Sequence, residues 1–132
     1  MSIQAGLRAA MLAESTITDI TSNIFVTAIR QDVGLPNITI IKTNEEPNNS
    51  LGGAGDLRFA DFDIECRATT EGGAIALADA VIAAFEDFTG AMGSNTCKAS
   101  LYLDSEDEHE YLNDGSIGQF LTTVYFQFQY MR

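Results

Sequence analysis

The chain has 132 residues, 45% of them hydrophobic and 20% charged, the size and composition of one soluble globular domain spanning 1–132. Nineteen acids against seven bases give a formal charge of −12, and the bases are scattered at Arg8, Arg30, Lys42, Arg58, Arg67, Lys98 and Arg132. This excludes a nucleic-acid groove built from Lys and Arg and disfavours an anionic membrane as partner.

Ser2 is placed to cap a first helix with Ile3, Leu7, Ala10 and Met11 on one face, ending near Ala13 or Glu14. Ser15 and Thr16 start a short second turn through Ile17 and Ile20. Ile24-Phe25-Val26-Thr27 is a short β-rich run. After the breaks at Gly34 and Pro36, the Ile- and Thr-rich stretch from Asn37 to Thr43 predicts a second strand. Asn44 to Asp56 reads as a polar loop, long for a hairpin connection.

From Arg58 the even positions Ala60, Phe62, Ile64, Cys66 and Ala68 are apolar, while Asp61, Asp63, Glu65 and Arg67 alternate with them. That period of two predicts a strand over Leu57–Thr69 with one wet face. Thr69 or Thr70 then caps a helix over Glu71–Phe88, with Ile75, Ala78, Val81, Ile82, Phe85 and Phe88 as its apolar stripe. Gly90 and Gly93 read as the helix stop. Cys97, Ala99, Leu101 and Leu103 alternate along a further strand and are expected on one side of it. Asp104 to Gly118 reads as a loop carrying Asp104, Glu106, Asp107, Glu108, Glu110 and Asp114. The last strand, about Gln119 to Tyr130, has Phe120, Val124, Phe126, Phe128 and Tyr130 in phase.

The order α, β, β, β, α, β, β predicts an α+β fold. Its expected form is a mainly antiparallel sheet of four to five strands, in two hairpins, with two helices packed on the apolar face. The other face carries Asp61, Asp63, Glu65, Tyr125, Gln127 and Gln129 and is expected to meet solvent or a neighbouring subunit.

No catalytic constellation is present in the sequence. His109 is the single histidine and sits between two glutamates, which leaves no His-rich metal site and no second base. Cys66 and Cys97 are too few and too far apart for a metal site, and each reads as a buried free thiol on an apolar strand face. The run Asp104-Ser105-Glu106-Asp107-Glu108 has His109 where a calcium loop needs glycine. Gly52-Gly53-Ala54-Gly55 precedes a strand and carries Asp56, whereas phosphate loops join a strand to a helix and bring Lys or Arg. No Ser or Thr has a partnered His. Neither an enzyme nor a cofactor nor a metal is expected. The opening Met1-Ser2-Ile3-Gln4-Ala5 lacks the basic start and apolar core of a secretory signal, and no apolar run reaches the roughly 20 residues that span a bilayer.

The strand–turn–helix from Leu57 to Phe88, and within it Ala76-Leu77-Ala78-Asp79-Ala80-Val81-Ile82-Ala83-Ala84-Phe85, resembles the tail-completion (tail-terminator) proteins of long-tailed bacteriophages. The resemblance extends to the opening helix from Ile3 to Leu12, to Ile24-Phe25-Val26, to Leu35-Pro36-Asn37-Ile38-Thr39-Ile40-Ile41 and to the aromatic closing strand. It implies a structural virion protein of the tail–neck region, assembled in the host cytoplasm. Such a protein forms a homohexameric ring on the end of the tail tube, stops tube polymerisation and presents a docking surface to the head. The implied partners are the tail tube protein and a head-completion or neck protein, with DNA passing through the ring and no specific nucleic-acid binding. Six copies would carry six times −12, or −72 formally, and an acidic bore lets DNA slide without sticking.

Within this reading Asn48, Asn49, Ser50 and Leu51 of the first loop, and Glu106, Asp107, Glu108, Glu110 and Asp114 of the second, are the interface or lumen candidates. The first loop is expected to be mobile in the free subunit and ordered on assembly. Two other readings stay open: another neck or tail-tube component of the same virion, and a small ligand-binding domain.

Overall fold

The first helix begins where the sequence offers a cap. In the computed structural model, which describes residues 2–27, 34–50, 53–111 and 117–131, Ser2 Oγ accepts the Ala5 N–H at 3.1 Å. Helix α1 (Ile3–Leu12) follows and buries Ile3, Gly6, Leu7 and Met11 along one side. A single turn, α2 (Ser15–Thr18), buries Ile17. Thr21 then donates its hydroxyl to the Pro36 carbonyl at 2.7 Å and accepts the Asn23 N–H at 3.0 Å. That knot holds β1 (Ile24–Val26) parallel to the start of β2 (Asn37–Ser50), with Ile24 opposite Ile38.

Strand β3 (Gly53–Ala68) returns antiparallel to β2, and α3 (Glu71–Phe85) follows, its Thr70 cap accepting the Gly73 N–H at 3.0 Å. Then come β4 (Gly90–Met92), β5 (Asn95–Tyr111) and β6 (Ile117–Met131). One six-stranded sheet results, in the order β1-β2-β3-β6-β5-β4, mostly antiparallel, with α1 and α3 on its apolar face. The α+β expectation holds. One strand more than expected is present, because Gly90, read as part of a helix stop, opens β4 instead. Asp87, at φ 58°, turns the chain out of α3 and ends the helix at Phe85 rather than Phe88.

Two expected loops are largely strand. Across 44–56, Glu45 pairs with Ala60, Glu46 with Phe59 and Ser50 with Gly53. This part of the hairpin runs past Met131, the last partner that β6 offers β3, so the sequence there has no apolar alternation to announce it. Pro47 is tolerated because β1 covers β2 only through Ile40, leaving an outer edge that needs no donor. Across 104–118, β5 stays paired with β6 as far as Glu110 opposite Gln119 and Tyr111 opposite Ile117. The loop assignment is corrected accordingly for 44–50 and 53–56; Leu51, Gly52 and 112–116 lie outside the described residues.

The central pair is β3 with β6, and its core-facing rungs set Phe62 against Phe126 and Ile64 against Val124, with a small residue against a large one only at Ala60 and Phe128. Phe128 meets Phe62 edge-on at 5.7 Å between ring centroids and Phe85 of α3 at 6.2 Å. On α3 the buried stripe is Ala74, Leu77, Ala78, Val81 and Phe85, with Ile75, Ile82 and Phe88 only partly covered. The expected stripe was thus rotated by about one position, since an Ala-rich helix is apolar nearly all round and hides its own phase.

Strand β5 departs most from expectation. Cys97 faces the core, but β-bulges at Lys98 and Leu103 each add a residue to the strand. Between them the phase is inverted. Ser100 and Tyr102 turn inward, opposite Phe128 and Phe126, whereas Ala99 and Leu101 face the other side. Ser100 is 2% exposed and donates its hydroxyl to the Phe85 carbonyl, closing the end of α3. Leu101 and Leu103, expected beside Cys97 on an apolar face, are exposed.

Candidate functional site: the acidic outer face

The second bulge decides where the charges point. Beyond Leu103, the rungs set Asp104 opposite Tyr125, Glu106 opposite Thr123, Glu108 opposite Leu121 and Glu110 opposite Gln119. On the other flank of β6, Asp63 stands opposite the same Tyr125, Glu65 opposite Thr123 and Asp61 opposite Gln127. All these positions look away from the helices. Two files of carboxylates therefore flank β6 at two strand spacings, roughly 10 Å apart, which is about one Debye length at 0.1 M salt.

Among the described residues Arg67 is the one base in this array. Its guanidinium bridges Glu65 at 3.1 Å and Glu110 at 3.0 Å, and it reaches Thr39 Oγ1 at 3.5 Å. Gln119 Nε2 also donates to Glu110 at 2.9 Å, and Gln127 Nε2 to Asp61 at 3.1 Å. Among the described residues no cation stands between the remaining acids of the array. Partial burial, and then the neighbouring charges of Glu65, Asp61 and Glu106, push the Asp63 carboxyl up. The Tyr125 hydroxyl is pushed up as well, first by desolvation and then by Glu106 and Asp63.

A raised carboxyl pKa binds its proton more tightly in the folded state than in the unfolded one. Stability therefore falls as pH rises from the ordinary value of 3.8 through the raised one, and the penalty is fully present at neutral pH. Asp63→Asn should melt at a higher temperature than the parent at pH 7, with the gap closing below about pH 4. Thermal melts of both proteins across that range check it; a variant less stable than the parent at pH 7 would refute the assignment.

The candidates from the sequence divide as follows. Glu106, Glu108 and Glu110 lie together on the outer face, on a strand rather than a loop. Asp107 lies on the opposite side, where Thr122 donates to it at 2.9 Å, and with Glu71, His109 and Phe120 it borders a cleft at the start of α3. Asn48, Asn49 and Ser50 belong to the outer part of β2, at the end of the β2–β3 hairpin, far in register from the acids. Leu51 and Asp114 lie outside the described residues. Asp104 and Arg67 were not singled out as site residues. Their part depends on strand order, which sets β3 and β5 on either side of β6.

A second polar cluster sits at the other end of the sheet. There Tyr130 donates its hydroxyl to Glu45, with Lys42 at 3.5 Å and Arg58 at 3.8 Å from the same carboxylate. The hydrogen bond from Tyr130 is the main cause holding Glu45 below the usual carboxylate range. Both cysteines are free and buried, and burial pushes their thiols up, to about 12 for Cys66 and about 11 for Cys97, far from a reactive thiolate. Among the described residues no group of His, Cys, Asp and Glu could hold a metal ion, and no helix is long and apolar enough to cross a membrane.

Compared with known proteins, residues 5–113 match the model of the family described as "Tail completion protein gp17". The fold is similar to that of a chain in a solved structure titled "Virion of native gene transfer agent (GTA) particle". The TM-score is 0.71 at 14% identity, over 98% of this chain and 94% of that one, a likeness of fold. No curated protein matches the sequence.

Proposed function

Because the chain belongs to the tail completion protein gp17 family, matching its model over residues 5–113, we propose that it caps the end of a phage-type tail tube as a homohexameric ring. In that role it stops tube growth and offers a head-completion or neck protein its docking surface. Membership makes it a structural, non-enzymatic component of a virion tail. The family match is the observation that carries the proposal.

The sheet supplies physical support. A small domain that meets identical copies head to tail closes into a ring when the rotation between neighbours is right. A face with seven acids and one Arg, turned toward the bore, would repel the phosphates of passing DNA over the short range that physiological salt permits. The same face turned outward would steer a basic neck protein.

Electron microscopy of tail tubes assembled with and without the purified protein tests this. The expected result is a six-fold ring at one tube end, tubes of fixed length and recovered joining to heads. A protein that stays monomeric and never decorates tube ends would overturn the proposal. Incorporation along the tube instead would make it a tube component rather than a cap.

A further inference from the structure

The longest unpaired backbone among the described residues is the outer edge of β5. Strand β4 covers β5 only from Asn95 to Cys97, so from Lys98 onward no described strand pairs with that side. Leu101 and Leu103 stand on this strand 44% and 56% exposed, the two most exposed large apolar side chains described. The seven positions from Asp104 to Glu110 contain no bulge, a run as long as an ordinary strand. Such an edge is a ready template for another chain unless something opposes it.

Charge selects the occupant. Asp104, Glu106 and Glu108 line the outer side of the free run and Asp107 the inner side, all exposed. A second copy of this chain would bring either the same β5 acids or the free part of β2, where Glu45 and Glu46 outnumber Lys42. Like charges directly across a strand pair are destabilising. We propose that the outer edge of β5 is a strand-addition site for an extended, basic segment of another virion protein. Alternate Lys or Arg side chains lie beside Asp104, Glu106 and Glu108, and an apolar residue covers Leu101 and Leu103. Main-chain hydrogen bonds give the binding and the side-chain alternation gives the selectivity. The assignment of the segment to a virion protein rests on the function proposed above; the edge and its chemistry do not.

The probe is an acetylated, amidated Lys-Val-Lys-Val-Lys-Val-Lys peptide, read by hydrogen exchange on the intact chain. Outward amides between Asp104 and Glu110 should exchange about tenfold more slowly or better with peptide bound. The matching Glu-Val peptide should give no protection, nor should the Lys-Val peptide with alternate amides methylated, which cannot complete the ladder. The triple variant Asp104→Lys, Glu106→Lys, Glu108→Lys should stay folded, melting no lower than the parent at pH 7, and bind about tenfold or more weakly at low salt. Equal binding of the methylated peptide, or protection away from β5, would overturn the proposal. Protection of β5 on raising the protein concentration alone would also overturn it, by making a second copy the occupant. Tube capping by the same preparation separates the two ideas. Capped tubes without peptide protection sink only the strand-addition site, whereas uncapped tubes sink the capping function whatever the peptide does.

Discussion

Phe128→Ala should cost about 3–5 kcal/mol, a large share of the 5–15 kcal/mol that a domain of this size typically has. The ring is fully buried and touches three elements: Phe62 on β3, Phe85 on α3 and Phe126 on its own strand, the last stacked at 5.5 Å. The residue across the ladder is Ala60, too small to relax into the space left behind. The cavity term is therefore kept almost whole. Gln127→Ala, one position away, removes a half-buried side chain that donates to Asp61 on the outer face, and should cost no more than about 1 kcal/mol. Urea unfolding of the two variants measures the contrast, and equal losses would mean the faces of β6 are misassigned.

Gly6→Ala is the second large effect, and its cause is contact rather than cavity. A Cβ on Gly6 would lie 2.2 Å from the Met92 carbonyl oxygen and 2.8 Å from its carbon. The obstacle is backbone, so no rotamer change relieves it. Helix α1 would have to lift from β4, losing the packing that buries Leu7 and Met11. The expected loss is about 3 kcal/mol, at the upper end for overpacking. Gly72 gives the opposite sign from the same chemistry. It lies in the first turn of α3 with nothing within 4 Å of its added Cβ, so Gly72→Ala should stabilise by up to about 1 kcal/mol through helix propensity. Thermal melts of both variants decide it; a neutral Gly6→Ala would contradict the close approach of α1 to β4.

The sequence made the α+β layout, the Ser2 and Thr70 caps and the inward faces of β3 and β6 legible. Each is written in local chemistry: a hydroxyl before a periodic run, or apolar residues at every second position of a strand buried on one side. The phase of α3 was illegible because alanines fill the gaps between its larger residues. The ends of β2 and β5 were illegible because strand pairing there comes without apolar alternation. The outer face lay between these cases. Asp61, Asp63 and Glu65 announce a wet face by themselves, but their meeting with Asp104, Glu106 and Glu108 across Tyr125 follows from the order β3-β6-β5, which no local pattern encodes. Nor does a local pattern reveal a bulge. Cys97, Ala99, Leu101 and Leu103 alternate in sequence and yet part company in space, because Lys98 and Leu103 each take up a place without a partner.

Those two unpartnered places also decide where this chain can change length. Loss of Lys98 or Leu103 would straighten β5 and leave every other rung as it stands, with Asp104 still across from Tyr125. Loss of a residue within the regular run from Asp104 to Glu110 would carry each later side chain to the opposite side, moving glutamates to the helix-bearing side of the sheet and His109 to the outer face among the acids. Among descendants of such a chain, surviving one-residue deletions in β5 should therefore gather at these two points, a lineage record of selection on sidedness.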